Sequence, residues 1–195
     1  MTAEAQHPAD PRSELRHRRL DGREARVAVF TRSYDAPIED VWDACTNPAR
    51  LRRWYAPVTG ELRAGGTFNQ PPMGSGVIVR CDPPRKLTLS LGGGSDEIDL
   101  QLSEAPDGRT ALELQHATTT ADHEIDGQIF DAIFCMGGGY YPRLVALDEH
   151  LRKALPHDYD PVAFHERPDR RAIIDRGSAA MANLLRGRRE TAVGR

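Results

Sequence analysis

Between residues 60 and 116 the chain is a series of short extended segments separated by turns. In residues 86–91, 97–102 and 109–116, apolar and polar side chains alternate, which is typical of strands with one buried face. Glycine and proline fill the breaks and favour tight turns. Because short strands joined by close turns pair with their neighbours, this region predicts an antiparallel meander. It opens with three less regular segments, residues 60–62, 66–69 and 76–81.

Residues 26–54, ahead of the meander, predict a long strand followed by two short helices. Pro37 suits the first position of a helix, because that position needs no backbone donor. Asn47-Pro48 then ends this helix and begins a second one, which closes on Trp54. A strand, two short helices and a meander in this order predict a curved sheet wrapped around a cavity.

Beyond Thr120 the apolar residues recur at the spacing of a helix. Ile125, Ile129 and Phe134 predict a first helical segment, and the glycine triplet at 137–139 is expected to interrupt it. A longer helix then extends to residue 155. The predicted fold class is therefore α+β, with a curved antiparallel sheet around a long C-terminal helix and two short helices after the first strand.

The two ends of the chain differ from its middle. Residues 1–24 are polar and proline-containing, which predicts a flexible N-terminal arm. Residues 156–195 are predicted to form a C-terminal extension with one amphipathic helix over 169–186. The remaining residues, 25–155, are predicted to form a single domain.

The composition excludes several functional classes. A formal net charge of −3 over 195 residues gives no concentrated basic field for nucleic acid. No apolar run is long enough to span a membrane and the N-terminus lacks a secretory core, so a cytoplasmic protein is expected. The three cysteines, Cys45, Cys81 and Cys135, show no paired spacing, which favours reduced thiols.

The order of elements resembles the helix-grip fold of the START and SRPBCC superfamily. Within it, the pattern is similar to the branch named after the activator of heat-shock-protein ATPase homologues. The resemblance covers about residues 25–155. It is carried by Ala36-Pro37, Val41-Trp42, Asn47-Pro48, Leu51, Trp54-Tyr55, Gly65-Gly66 before Phe68, and the Gly76 strand leading to Pro83-Pro84.

This resemblance implies a cavity between the concave sheet and the long helix. Across the superfamily such cavities hold lipids, polyketides and other apolar molecules, and some catalyse reactions. The resemblance supplies no catalytic signature and no cofactor, because this fold serves many functions.

A set of mainly aromatic and apolar residues is predicted to line that cavity, with the tyrosine hydroxyls orienting a ligand. The alternative is that these side chains simply fill the core. The set is Trp54, Phe68, Met73, His116, Ile129, Phe134, Tyr140 and Tyr141.

His116 shares strand parity with Leu112 and Leu114, so it is expected on the apolar face, where an imidazole could act as acid or base. The sequence places no carboxylate partner beside it, which favours a histidine that is only hydrogen-bonded. Together with His123 and Cys135 it matches no standard zinc spacing, so no metal site is expected.

Three functional hypotheses follow. The first is a domain that binds a small, largely apolar molecule without transforming it. The second is an enzyme of the polyketide cyclase, aromatase or dehydratase kind, with His116, Tyr140 or Tyr141 moving protons. The third is an interaction module, either chaperone-activator-like or a homodimer joined through the last helix; an exposed apolar stripe on that helix would favour it.

Overall fold

The computed structural model describes residues 10–71 and 74–193. The strands are β1 (Arg12–Leu20), β2 (Arg23–Tyr34), β3 (Thr59–Gly60), β4 (Thr67–Gln70), β5 (Gly74–Asp82), β6 (Lys86–Leu91), β7 (Asp96–Glu104), β8 (Thr110–Thr118), β9 (Asp122–Ile125) and β10 (Gln128–Asp131). The helices are α1 (Ile38–Thr46), α2 (Pro48–Trp54), α3 (Ala132–Leu151) and α4 (Pro168–Val193).

The main sheet has eight antiparallel strands in the order β1-β2-β8-β7-β6-β5-β4-β3. Strands β3 to β8 pair in sequence order, so the predicted antiparallel meander is confirmed. The long α3 lies against this sheet, and α1 and α2 follow β2 as expected. The α+β helix-grip architecture predicted from the sequence is therefore the observed one.

The inner face of the sheet packs on α3 and forms the main core. Phe30 is fully buried and its ring lies 5.3 Å from that of Tyr140. Tyr34 is also buried, and its hydroxyl donates to the carbonyl oxygen of Leu144 at 3.1 Å. Burial of large aromatic side chains from both the sheet and the helix fixes α3 across the strands.

The prediction that residues 1–24 form a flexible arm is wrong for the residues of β1. Arg12–Leu20 pairs with β2 along its whole length, and Leu15 is buried opposite Ala28. The turn is Asp21-Gly22, with φ of 47° and 78°, the left-handed geometry of a two-residue hairpin. The arginine-rich strand was missed because an edge strand needs few apolar side chains. Residues 1–9 lie outside the described residues.

The prediction of a helical segment around Ile125 and Ile129 is also wrong. Strands β9 and β10 form a separate two-stranded hairpin that turns at Asp126-Gly127, where φ is 51° and 74°. Helix α3 begins only afterwards, and the Asp131 side chain caps it by accepting from the backbone N–H of Ile133 at 2.8 Å. The Asp-Gly turn therefore favours a hairpin here, although the spacing of the apolar residues predicted a helix.

The glycine triplet does not interrupt α3, which is continuous from Ala132 to Leu151. A Cβ atom on Gly137 would lie 2.1 Å from the carbonyl oxygen of Gly177 in α4. A Cβ on Gly177 would meet the Gly137 carbonyl oxygen at 2.3 Å. Glycine therefore lets two helix backbones approach closely at this crossing.

Helix α4 packs along α3 of the same chain. Met181 is fully buried between them, and the Arg176 guanidinium binds both carboxylate oxygens of Asp10 at 2.7 and 2.9 Å. The predicted amphipathic helix over 169–186 is thus part of a longer helix that turns its apolar side inward. Within residues 10–71 and 74–193, no helix has both the length and the apolar character needed to cross a lipid bilayer.

Candidate functional site

An apolar cavity of about 100 Å³ lies between α1, α2 and the sheet strands β4, β5 and β6. Its walls are mainly aliphatic and aromatic, and the buried Gln70 and the half-buried Thr46 add polar atoms. The space between the sheet and α3, where the cavity was expected, is instead occupied by packed side chains. The cavity is lined by Cys45, Thr46, Leu51, Tyr55, Val58, Leu62, Phe68, Gln70, Ile78, Cys81, Leu87 and Leu89.

The Cys45 thiol belongs to the wall of this cavity. Burial raises its pKa to about 12, although the charge of Arg50 acts in the opposite direction. A thiol with so high a pKa is neutral at physiological pH and behaves as a small apolar group. Cys45 therefore contributes to the apolar character of the cavity rather than to nucleophilic chemistry.

A chain of hydrogen bonds on the inner sheet face joins Asp96, His116 and Tyr140. The Nε2 atom of His116 lies 3.1 Å from Oδ1 of Asp96, and its Nδ1 atom lies 2.9 Å from the Tyr140 hydroxyl. His116 and Tyr140 are both buried, with 9% and 6% of their surface exposed. The imidazole is thus held at both nitrogens between a carboxylate on β7 and a phenol on α3.

The ionisation of Asp96 fixes the direction of these bonds. Burial raises its pKa, but hydrogen bonds from His116, Ser95 and Thr118 outweigh that effect and lower the pKa to about 2. An ionised carboxylate only accepts, so Nε2–H of His116 donates to Asp96. In the neutral imidazole, Nδ1 then accepts from the Tyr140 hydroxyl. Burial raises the pKa of Tyr140 well above its usual value, which keeps this phenol protonated.

The hydrogen-bonded chain lies beside the cavity rather than in its wall. Leu89, which lines the cavity, pairs with Ile98, and Ile98 pairs with His116. Two strand spacings separate Leu89 from His116, a distance of about 10 Å. A molecule reaching both places would have to extend along the inner sheet face.

Tyr55 connects these two regions. Its ring lines the cavity, and it lies near enough to Tyr140 to raise the pKa of that phenol. The Arg143 guanidinium lies over the Tyr55 ring, 5.5 Å from its centroid, and over the Phe164 ring at 4.6 Å. One end of the cavity therefore adjoins a cation held by two aromatic rings.

The residues predicted to line one cavity occupy several places. Phe68 lines the cavity. Trp54 is buried and donates from its indole N–H to the Ala44 carbonyl oxygen at 2.9 Å, which joins α2 to α1. The Tyr141 hydroxyl lies 2.7 Å from Ser13 Oγ on β1. Trp54 and Tyr141 thus have structural hydrogen bonds.

Ile129 and Phe134 lie at a different surface. Ile129 is 75% exposed on β10, and the Phe134 ring stacks on that of Phe130 at 5.9 Å. With Leu185 of α4 they border an open groove of about 290 Å³. Met73 lies outside the described residues. Among the predicted site residues that the structure describes, His116 and Tyr140 are thus brought together on the inner sheet face, and Ile129 and Phe134 at this separate groove.

A larger depression of about 680 Å³ opens at the sheet strands β2, β7 and β8. Its lining is mainly polar and charged, including Arg12, Gln101 and Glu113. Such a surface favours water over an apolar molecule. The smaller cavity beside Tyr55 is therefore the better candidate for an apolar ligand.

Several residues of the site were not found from the sequence. Asp96 lies just after the glycine run at 92–94, and no sequence pattern marked it as a site residue. Only the pairing of β7 with β8 brings it near His116. Arg143 is one arginine among many in the sequence, and only the fold shows that it has no carboxylate partner among the residues that the structure describes. Tyr55 directly follows Trp54 in the motif that carried the family resemblance, which is the one signal that could have marked it.

Comparison with protein families gives one match. The family described as "Activator of Hsp90 ATPase homolog 1-like protein" matches residues 35–141, more than half of the chain. A comparison with curated proteins gives no match.

Solved structures give further similarity. The crystal structure of CalU16 from Micromonospora echinospora is 34% identical, with a TM-score of 0.73, and the alignment covers 90% of this chain and 98% of that one. A conserved protein of unknown function from Enterococcus faecalis is 15% identical, with a TM-score of 0.60 and coverage of 89% and 92%. DynU16, from the dynemicin biosynthetic locus, is 18% identical, with a TM-score of 0.55 and coverage of 69% and 50%. The latter two support the fold alone.

Proposed function

The chain belongs to the activator of Hsp90 ATPase homolog 1-like family, and on this basis we propose that it binds a small, largely apolar molecule in the cavity lined by Tyr55, Phe68 and Ile78. The observation that carries the proposal is the apolar lining of that cavity. At about 100 Å³ it is smaller than the roughly 300–1,000 Å³ of pockets for drug-sized ligands. It therefore suits a short alkyl chain or the end of a longer molecule.

Two substitutions on the same strand test this proposal. Ile78 lines the cavity and is buried, whereas its neighbour Val79 is 54% exposed. In Ile78→Trp the larger indole occupies the cavity, and in Val79→Trp it projects into solvent. With 1-octanol as the probe, titration calorimetry should show binding to the wild type and to Val79→Trp, and at least tenfold weaker binding to Ile78→Trp.

The control on folding is the thermal unfolding of each variant, because an overpacked core costs about 1–3 kcal/mol. Equal affinity of Ile78→Trp and Val79→Trp for 1-octanol would place the binding site elsewhere. An absence of binding to the wild type would contradict the proposal for alkyl chains.

The hydrogen-bonded chain from Asp96 to Tyr140 favours a second candidate, an enzyme that moves a proton during ring closure or loss of water. With Nδ1 of His116 as the acceptor of the hydrogen bond from the Tyr140 hydroxyl, the phenol oxygen is free to accept a hydrogen bond from a substrate, and a proton taken up by that oxygen is balanced by passage of the hydroxyl proton to His116. The test is conversion of the molecule extracted from purified protein, followed by mass spectrometry. Tyr140→Phe should abolish conversion, while Tyr141→Phe should retain it; equal turnover would remove Tyr140 from the chemistry.

A protein-interaction role stays a prediction. The apolar side of α4 faces α3 within the same chain, and Met181 is fully buried there. Over the part of α4 whose side chains the structure describes, Met181 is thus used within the chain, while Leu185 remains at the open groove beside Ile129 and Phe134. Light scattering of the full chain and of a chain lacking residues 157–195 would measure whether a dimer depends on it.

A further inference from the structure

Arg143 is a partly buried cation without a carboxylate partner among the described residues. Its Nη1 atom donates to the Gly139 carbonyl oxygen at 2.9 Å, one turn earlier in α3. Its Nε atom is buried and has no hydrogen-bond acceptor. A buried donor without an acceptor is costly, by about 1–3 kcal/mol.

Other partly buried arginines of this chain do have carboxylate partners. Arg50 binds Asp40 at 2.6 Å and Asp43 at 3.1 Å. Arg170, which is almost fully buried, binds Glu149. Arg143 therefore departs from a pattern that the same fold follows elsewhere.

One candidate counter-charge for Arg143, Glu149, is already paired with another arginine. The charge of Arg143 lowers the pKa of Tyr159, and the charge of Glu149 raises it, so both groups lie near this phenol. Glu149 is bound to Arg170, however, and it forms no ion pair with Arg143. The guanidinium thus keeps unused donors in a partly dehydrated position.

The position of Arg143 relates it to the cavity. Its guanidinium lies over the ring of Tyr55, which lines the cavity, and over the ring of the buried Phe164. Its charge also acts on Tyr140, whose pKa it lowers against the stronger effect of burial. A molecule with its apolar part in the cavity could extend past Tyr55 and place a polar end at Arg143.

We infer that Arg143 binds the acidic group of this molecule, so that the ligand class is an apolar monocarboxylic acid. The inference rests on the proposed function, because the apolar part must occupy the cavity. A carboxylate matches the fork of a guanidinium and accepts two donors at once. A single negative charge balances the single cation, whereas a phosphate dianion would leave charge uncompensated beside Phe164 and Tyr55.

Two probes of equal chain length distinguish the contribution of the acidic group to binding from that of the apolar chain. Octanoate and 1-octanol share the alkyl chain, and only the first carries a carboxylate at pH 7. Titration calorimetry compares the wild type with Arg143→Met, which removes the charge, and Arg143→Lys, which retains it. Arg52→Met makes the same change at an exposed arginine of α2 and serves as the matched control.

The wild type should bind octanoate at least about tenfold more tightly than 1-octanol, as expected for a charged hydrogen bond. Arg143→Met should lose this preference and leave the affinity for 1-octanol unchanged. Arg143→Lys should keep a preference for the acid, which also guards against a folding defect of the first variant, and Arg52→Met should behave as the wild type.

Equal binding of the two probes to the wild type would overturn the inference while leaving the proposed function intact. So would a preference for octanoate that persists in Arg143→Met. If neither probe binds the wild type, the cavity-binding proposal fails and the inference falls with it.

Discussion

Substitution of Gly137 by alanine should destabilise the protein, although alanine is the better helix former. A Cβ atom there would lie 2.1 Å from the Gly177 carbonyl oxygen, against an ordinary contact distance of at least 3.4 Å. A backbone carbonyl cannot rotate away, so α3 and α4 would have to separate by more than 1 Å and loosen the packing around Met181. Overpacking of this kind costs about 3 kcal/mol, and the gain in helix propensity returns about 1 kcal/mol.

The net effect is a loss of about 2 kcal/mol, which lowers Tm by roughly 4–8 °C for a chain of this size. Gly139 is the control within the same triplet, because a Cβ there meets only the Arg143 side chain at 3.5 Å. Gly139→Ala should therefore raise Tm by roughly 2–4 °C. Urea and thermal unfolding measure both effects. If Gly137→Ala were as stable as Gly139→Ala, this result would contradict the close approach of α3 and α4 at Gly137.

The remaining predictions concern ionisable groups of the site. The folded-state pKa of Asp96 is lowered from 3.8 to about 2, so its carboxylate contributes about 2 kcal/mol of stability above pH 3.8 that is lost as pH falls through 2. In urea unfolding between pH 4 and 2, Asp96→Asn should lose less stability than the wild type, and parallel curves would contradict this. With a pKa of about 12 against 9.0, Cys45 should react with iodoacetamide roughly a thousandfold more slowly in the native protein than in urea. Peptide mass spectrometry measures the two rates, and equal rates would show that Cys45 is not buried.

Local signals in the sequence predicted the greater part of the fold. The alternation of residues 86–116 and the turns between strands are encoded within a few residues, so β6, β7 and β8 were found close to their observed bounds. Strand β1 was missed because Leu15 and Leu20 are its only apolar residues, although the Asp21-Gly22 turn was a usable signal.

The candidate site was predicted less well, because its contacts depend on tertiary structure. Strand parity placed His116 on the inner face, and the structure has it there with 9% exposure. Its partner Asp96 could not be inferred, since the pairing of β7 with β8 sets their distance. The continuity of α3 through Gly137 likewise depends on α4, which lies forty residues further along the chain.

The most direct test of ligand binding is native mass spectrometry of the protein as purified from cells, followed by denaturing extraction. We expect a mass adduct with one small molecule per chain and an extract containing an apolar acid. The Ile78→Trp variant prepared in the same way should lack the adduct, and Val79→Trp should retain it. A wild-type chain without adduct that also fails to bind octanoate and 1-octanol would contradict the binding of an apolar molecule by this protein.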